Sequence, residues 1–177
     1  FDPWKLETFE PADVILITHG HHDHCSPGDV NKLATEQTRI ICPEDCADKF
    51  EKGQVTTIKP GDRLDLGSGV TLEVVPAYNI GKPFHPRDDQ HVGYIVDLGD
   101  RRIYDAGDTD LIPEMDAITC DVALLPIGGK FTMNEKDAAR AVSRIEPKVV
   151  VPMHWGGIIG TRRTAMRFQE LVGDAAE

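Results

Sequence analysis

The sequence lacks any apolar run long enough to cross a membrane as a helix. Its longest apolar runs, 122–127 and 149–152, are short and bounded like buried strands. Internal repeats and low-complexity tracts are also absent. With 40% hydrophobic and 28% charged residues over 177 positions, the composition is that of an ordinary globular protein. We therefore expect a soluble protein, without a membrane partner, that forms a single domain over residues 1–177.

Cysteine is scarce. The four cysteines, Cys25, Cys42, Cys46 and Cys120, are too few and too irregularly placed for a disulfide framework, which favours a reducing, cytoplasmic location. Cys42 ends a strand-like run, so Cys42 and Cys46 are predicted to be buried thiols, with a clip for a small ion as the alternative. Cys25 adjoins a histidine cluster. It is expected to support the metal ligands of that cluster without binding the ion itself, or to be a buried structural thiol.

Positive charge is in short supply. The chain has 19 lysines and arginines against 30 aspartates and glutamates, a formal net charge of −11. Most of such a surface repels a polyanion, which disfavours nucleic acid as a partner. A small anionic substrate remains compatible with this charge, because bound divalent cations would dominate the field of any site that they occupy.

Strands and helices alternate along the chain. β-rich runs predict strands at 14–18, 39–42, 55–58, 70–75, 92–97, 102–104, 122–126 and 149–152. Helical patterns lie at 27–36, 44–50, 134–145 and 164–171. This order predicts an α/β layered protein.

Turn and cap signals refine that prediction. Gly-Asp pairs at 61–62 and 99–100 predict hairpins between Ile58 and Leu64 and between Val96 and Ile103. Paired hairpins indicate that much of the sheet is antiparallel or mixed. The third helix is announced by Thr-Met-Asn-Glu, which fits a capping box with Thr132 as its cap.

The segment 19–24 reads His-Gly-His-His-Asp-His and follows the apolar run 14–17 directly. Side chains two apart on a strand point the same way, so His19 and His21 are predicted to grip one ion together. A polar surface turn or an affinity-tag remnant is the alternative interpretation. Further candidate ligands downstream argue against that alternative.

Asp23 and His24 stand where the chain turns into a helix. Ser26 is a good N-cap and Pro27 suits the first helical position, so the two preceding ligands are placed to grip a second ion nearby. Imidazole nitrogen and carboxylate oxygen are usual zinc ligands, and the same mixture accepts iron or manganese.

Further imidazole and carboxylate groups follow other predicted strands. His85 stands between two prolines in the loop after the fourth strand, and His91 follows six residues later. Asp108 follows the sixth strand in a segment where a glycine permits close backbone approach, and His154 follows the eighth. Strand ends are rigid points that present such side chains to a shared edge.

With these motifs in place, the chain resembles the metallo-β-lactamase superfamily, and within it a branch of uncharacterised metal-dependent hydrolases related to bacterial lactonases. The resemblance covers nearly the whole chain. It rests on His-x-His-x-Asp-His at 19–24, Gly-Asp-Thr at 107–109, Pro-Ile-Gly-Gly at 126–129, Phe-Thr-Met at 131–133 and Pro-Met-His at 152–154. It implies the αββα metallo-β-lactamase-like sandwich as the fold.

The resemblance also implies a set of metal ligands. His19, His21 and a third histidine would hold one ion, Asp23, His24 and His154 would hold the other, and Asp108 would bridge them. Many relatives place the third histidine where this chain has Asn79, so its role passes to His85 or His91. The Pro-Phe-His-Pro pattern resembles a variant of the family and favours His85, and His91 would then be a surface histidine at the start of a strand.

Proteins of this family usually open with two strands before an Asp-Pro pair like Asp2-Pro3. This sequence has no residues for them, so we expect either a truncated chain or a reduced fold that lacks its opening strands. The missing strands would leave an unpaired sheet edge, which natural proteins rarely leave bare. We therefore expect a homo-oligomer in which a partner subunit covers that edge.

The expected chemistry is hydrolysis by a metal-bound hydroxide, since a divalent ion lowers the pKa of its water to about 7 and a second ion stabilises the oxyanion. Asp23, which would orient the nucleophile, and Asp108, which would bridge the ions, are the predicted catalytic residues. Two divalent ions are expected, zinc first and manganese or iron as alternatives. The expected substrate is a small anionic ester, lactone or phosphodiester. The alternatives are a nuclease-type phosphodiesterase and a non-catalytic metal-binding regulatory or structural module.

Overall fold

The structure, a computed structural model, describes residues 1–176 and divides the chain into two compact units. The first unit comprises Phe1–Lys59, and the second begins at Pro60. The single domain over residues 1–177 stays a prediction. Within the described residues, no helix combines the length and the apolar character needed to span a bilayer.

The first unit contains a parallel sheet of three strands in the order β1-β2-β3. The strands are β1 (Val14–Leu16), β2 (Arg39–Cys42) and β3 (Gln54–Thr57). Helix α1 (Pro27–Leu33) connects β1 to β2, and a 3₁₀ helix (Glu44–Lys49) follows β2. The buried strands are apolar without alternation, as is typical of parallel sheets. Ile15, Ile40 and Val30 of α1 belong to the core of this unit.

The predicted start of α1 is confirmed, but its predicted end at 36 is wrong. Ser26 accepts a hydrogen bond from the Asp29 amide at 3.4 Å, and Pro27 occupies the first turn. The helix ends at Leu33, because Ala34 adopts extended backbone. The next amide, that of Thr35, donates to the hydroxyl of Thr38 at 2.8 Å instead of to the helix. Threonine hydroxyls commonly compete with helical hydrogen bonds in this way.

The second unit contains a mixed sheet of six strands in chain order. The strands are β4 (Arg63–Gly67), β5 (Val70–Pro76), β6 (Val92–Asp97), β7 (Arg102–Asp105), β8 (Val122–Pro126) and β9 (Val149–Met153). Pairing is antiparallel from β4 to β7 and parallel from β7 to β9. The predicted α/β class and mixed sheet are thereby confirmed.

Helices complete the second unit. They are α2 (Glu135–Ile145), α3 (Arg162–Val172) and short 3₁₀ helices at Arg87–Asp89, Pro113–Ala117 and Gly173–Ala175. α2 presents Ala138, Ala141, Val142 and Ile145 to the core, an apolar stripe with helical spacing. Its neighbours in that core include Leu125 of β8 and Phe168 of α3.

One of the two predicted hairpins is wrong. The hairpin at 99–100 forms, since β6 and β7 pair and the Leu98 amide donates to the Arg101 carbonyl at 2.9 Å. The hairpin between Ile58 and Leu64 does not form, because β3 pairs with β2 and β4 pairs with β5. The Gly61 amide instead donates to the Val74 carbonyl of β5 at 2.8 Å.

Two helix predictions also need correction. The predicted helix at 44–50 is a 3₁₀ helix, Glu44–Lys49. The cap of α2 is Asn134 and not Thr132: Asn134 Oδ1 accepts from the Lys136 amide at 2.9 Å and from the Asp137 amide at 3.0 Å. Thr132 lies two residues before this cap, and its buried hydroxyl donates to the Met133 carbonyl at 3.2 Å.

Candidate metal centre

In the first unit, three of the predicted histidine ligands lie together. His19 Nε2 and His21 Nδ1 are 3.0 Å apart, and the ring centroids of His19 and His24 are 4.1 Å apart. His19 is fully buried and His24 is nearly so, whereas His21 is exposed. Neutral imidazole offers one acceptor nitrogen that can also bind a metal ion, so this grouping is suited to hold a cation.

A tight turn brings Asp23 and His24 to this group. The amides of His24 and Cys25 both donate to the His21 carbonyl, at 3.0 and 2.7 Å, so the chain coils back at this point. Asp23 Oδ2 lies 3.7 Å from His24 Nε2. All four ligands predicted between residues 19 and 24 therefore lie within one turn of chain.

Asp2 also belongs to this group, and the sequence analysis did not assign it a role. Its carboxylate accepts hydrogen bonds from the Thr18 amide at 2.8 Å, from the Thr18 hydroxyl at 2.6 Å and from His24 Nδ1 at 2.6 Å. A carboxylate that holds the far nitrogen of a histidine fixes the ring and its tautomer, which is the usual arrangement behind metal-ligating histidines. The Asp-Pro pair near the start of the chain was the available signal.

In the second unit, Asp108 is the meeting point of two predicted ligands. Its Oδ2 atom lies 3.4 Å from His85 Nε2 and 3.3 Å from His154 Nε2. The side chains of Asp108 and His85 are almost entirely buried, and that of His154 is 11% exposed. One carboxylate oxygen close to two imidazole nitrogens in a buried setting is suited to bind a metal ion together with them.

Backbone strain marks the same two histidines. His85 has φ +53° and His154 has φ +54°, so both adopt the left-handed region that residues with a Cβ normally avoid. Such conformations cost on the order of 1–3 kcal/mol and persist where the surroundings fix them, most often at functional sites. His154 directly follows β9, and His85 lies in the loop between β5 and β6.

The ring of the alternative third ligand, His91, lies next to the ring of His85. Its ring centroid is 5.3 Å from that of His85, and its Nε2 atom lies 3.9 Å from a carboxylate oxygen of Asp89. His91 precedes β6 as expected, but it is buried, so the expectation of a surface histidine is wrong. The structure brings His85 into contact with Asp108, and the choice between His85 and His91 as the third ligand stays a prediction.

The spacing of these atoms fits a shared ion. Two ligands on one tetrahedral zinc ion with bonds of 2.0–2.1 Å lie about 3.3 Å apart. The separation between His19 and His21 nitrogens is 3.0 Å, and the Asp108 oxygen lies 3.3 and 3.4 Å from its two histidines. All seven predicted ligands are among the histidine and aspartate side chains of the described residues that could hold a metal ion. The donor set is therefore suited to a divalent metal.

The cysteines are not arranged as ligands. All four are free and buried, which confirms the buried thiols predicted at Cys42 and Cys46. Burial raises the pKa of Cys42 to about 12. A hydrogen bond with Cys25, followed by burial, raises the pKa of Cys46 as well. The raised pKa values indicate that both thiols stay protonated at neutral pH in the protein without a bound ion.

Comparison with known proteins identifies the class. A family model described as "Beta-lactamase superfamily domain" matches residues 1–155. The chain belongs to this superfamily, as the resemblance implied. Among its relatives, a UPF0173 metal-dependent hydrolase of Thermococcus onnurineus is 36% identical over 98% of this chain and 80% of the relative. The chain thus belongs to this family of metal-dependent hydrolases.

Solved structures agree with this assignment. A protein of Parabacteroides distasonis assigned to the metal-dependent hydrolases shares 35% identity, with a TM-score of 0.86 over 98% of this chain and 79% of that one. The metallo hydrolase Igni18 of Ignicoccus hospitalis shares 27% identity, with a TM-score of 0.73 over 93% of this chain and 74% of that one. The predicted metallo-β-lactamase-like fold class is confirmed.

Proposed function

We propose that the protein is a dinuclear metal-dependent hydrolase that cleaves a small anionic ester, lactone or phosphodiester. The observation that carries the proposal is the Asp108 oxygen shared by His85 and His154 in a buried setting. A carboxylate placed in this way is suited to bridge two cations, and two-metal hydrolases depend on such a bridge. Family membership supports the same conclusion.

The ligands divide into two sets in the proposed centre. His19, His21 and His85 would hold one ion, Asp23, His24 and His154 would hold the other, and Asp108 would join them. Nitrogen and oxygen donors in this ratio suit zinc best, with manganese or iron as alternatives.

Asp23 and Asp108 have different roles in the proposed reaction. Divalent ions supply an activated water nucleophile and offset the negative charge that develops on the substrate oxygen. Asp23, which lies beside His24, would hold an ion and also orient the attacking water. Asp108, which is buried and held between two imidazoles, keeps the ligand groups at a fixed separation.

The decisive experiment joins metal analysis to turnover. The purified protein is analysed for zinc, manganese and iron by mass spectrometry and assayed with chromogenic esters, lactones and phosphodiesters. We expect two ions per chain and turnover of at least one class, and we expect both to be lost in Asp108→Ala. Asp100→Ala, an exposed aspartate in the β6-β7 hairpin, is the matched control and retains both. Unchanged turnover in Asp108→Ala would defeat the assignment.

The alternatives have distinct outcomes in the same experiment. One ion or none, without turnover, indicates a regulatory or structural module. Cleavage of bis(4-nitrophenyl) phosphate but not of carboxylic esters indicates the nuclease-type phosphodiesterase, which the net charge of −11 disfavours for polymeric substrates.

The proposal extends to a homo-oligomer. Strand β1 is at one edge of the three-stranded sheet and pairs with β2 only, among the described strands. An edge of this kind is a template for pairing with a further strand, and a partner subunit would cover it. Sedimentation velocity analysis tests this expectation, and a monodisperse monomer would contradict it.

A further inference from the structure

Asn79 is a buried side chain at the end of the segment that follows β5. It is 6% exposed, and its backbone amide donates to the His85 carbonyl at 2.8 Å. Its side-chain Nδ2 donates to the Phe84 carbonyl at 3.0 Å and to the Phe131 carbonyl at 2.6 Å. Both acceptors are carbonyl oxygens, so only the NH₂ end of the amide satisfies them, and the orientation of the amide is fixed.

These three hydrogen bonds fasten the loop that carries His85. Since His85 has left-handed backbone, its conformation must be held by its surroundings. Asn79 holds the backbone just before and just after the His85 side chain, through the carbonyls of Phe84 and His85. Lys82 also fastens this loop to the segments of Asp110 and Thr132. Its Nζ pairs with Asp110 and donates to the Thr132 carbonyl at 2.7 Å.

The hydrogen bonds from Asn79 also hold the backbone of two aromatic residues, Phe84 and Phe131, of which Phe84 directly precedes His85. The rings of Phe84 and Phe131 meet edge to face with centroids 4.7 Å apart, the preferred geometry for such rings. Phe84 remains 39% exposed, and Ile80 in the same loop is 57% exposed. Lys130 Nζ lies 4.9 Å from the centre of the Phe131 ring. Exposed apolar groups therefore stand close in sequence to His85, and Lys130 stands beside Phe131.

We propose that Asn79 is a positioning residue that holds His85 as a metal ligand and sets the Phe84–Phe131 pair as an apolar wall for the substrate. The inference rests on the proposed hydrolase function and adds the substrate's character. The preferred substrate carries an apolar acyl group beside its scissile bond, and its negative charge is met by Lys130. Asn79 acts through its amide hydrogens on two main-chain carbonyls, and it takes no part in bond making itself.

The test replaces the two donors without changing the shape of the side chain. Asn79→Asp is isosteric, but a carboxylate cannot donate to the two carbonyls. Asn79→Ser offers at most one donor without adding a charge, and it serves if the first variant fails to fold. Asn31→Asp, the same chemical change in helix α1, is the matched control. Thermal unfolding identifies folded variants before any other measurement.

The first readout is the zinc affinity of each folded variant, measured by competition with a chromogenic chelator. Loss of a group that orients a ligand typically weakens metal binding about 10- to 100-fold, and we expect this loss in both Asn79 variants. We expect the Asn31→Asp control to bind zinc as the wild type does. Wild-type affinity in Asn79→Asp or Asn79→Ser would overturn the positioning role.

The second readout is the split between KM and kcat for 4-nitrophenyl acetate, butanoate and octanoate. We expect Phe131→Ala to raise KM for the octanoate about tenfold or more relative to KM for the acetate, because the wall contacts the acyl chain and the longer chain loses more of that contact. Asn79 variants should lower kcat for all three esters, since a displaced ligand affects the reaction itself.

The outcomes separate this inference from the proposed function. If the wild-type chain binds two ions and cleaves esters but the Asn79 and Phe131 variants match it, the function stands and the inference is wrong. If the wild-type chain binds two ions but cleaves none of the esters, the apolar wall is wrong and zinc affinity alone decides the role of Asn79. If the wild-type chain binds no metal, both proposals fall together.

Discussion

His24 Nδ1 lies 2.6 Å from Asp2 Oδ2, although 22 positions separate the two residues in the chain. An ionised carboxylate can only accept, so His24 donates through Nδ1 and directs the lone pair of Nε2 away from Asp2. The same carboxylate accepts from the amide and the hydroxyl of Thr18. Asp2 therefore fixes both the position and the tautomer of a predicted metal ligand.

This relationship gives the first prediction. Asp2→Asn replaces a charged acceptor by a neutral amide that can turn its NH₂ group toward His24. We expect about 10- to 100-fold weaker zinc binding, with a comparable loss of turnover. Chelator competition measures the affinity. The control is Asp65→Asn, an exposed aspartate that accepts a local hydrogen bond from the Gly67 amide. Equal affinity of Asp2→Asn and wild type would contradict the role given to Asp2.

Gly128 gives the second prediction, because it leaves room for the segment of His154. A Cβ at this position would lie 2.7 Å from the His154 carbonyl oxygen, 3.2 Å from His154 Nδ1 and 2.6 Å from a methyl carbon of Ile159. The first of these atoms belongs to the backbone and cannot turn aside. The chain around His154 must therefore shift to accept any side chain at residue 128.

We expect Gly128→Ala to lower the free energy of unfolding by about 1–3 kcal/mol, the usual cost of overpacking, and to reduce bound metal. Urea unfolding and metal analysis measure the two effects. Gly28→Ala is the control, since a Cβ there meets nothing within 4 Å and alanine favours helix α1. A Gly128→Ala protein with wild-type stability and metal content would show that the backbone near His154 yields without consequence.

The contrast between Asp108 and Asp2 indicates what sequence alone can predict about this site. Asp108 follows an apolar strand within a recognisable motif, so local pattern and family resemblance both point to it. Asp2 acts through His24 and Thr18, and Asn79 acts through the carbonyls of Phe84 and Phe131. Such roles depend on contacts between distant positions, and no local spacing encodes them.

The strand pairing also shows that local sequence patterns predict only part of the fold. The hairpin at 99–100 was predictable because its two strands are neighbours in sequence and pair with each other. The Gly61-Asp62 pair has an equally good turn signal. Its flanking strands have stronger partners elsewhere, since β3 extends the parallel sheet and β4 pairs with β5. Tertiary pairing therefore decided which turn signal became a hairpin.

The last prediction concerns Asp29, which anchors the start of helix α1. Lys32 Nζ lies 2.8 Å from its carboxylate, which also accepts from the Lys5 amide at 2.8 Å and from the Ser26 hydroxyl at 3.0 Å. The hydrogen bond from Lys32 is the main reason why the pKa of Asp29 is lowered to about 2. Burial opposes this shift, and the other hydrogen bonds add to it. Its ordinary pKa is about 3.9.

A pKa that is lower in the folded state stabilises the protein above the pKa of the unfolded chain. The contribution of Asp29 is therefore complete above about pH 4 and is lost as the pH falls toward 2. Asp29→Asn should cost about 1–2 kcal/mol at pH 7, a figure reduced for the partial exposure of Lys32. The difference from wild type should shrink steadily as the pH falls from 4 toward 2.

Urea unfolding of wild type and Asp29→Asn at pH 7, 4 and 2.5 measures this dependence. Asp100→Asn, at an exposed position in the β6-β7 hairpin, is the control and should differ little from wild type at each pH. If the cost of Asp29→Asn is the same at pH 7 and pH 2.5, the stabilisation comes from hydrogen bonds that the amide cannot replace. In that case the negative charge held by Lys32 contributes nothing to the stability of the first unit.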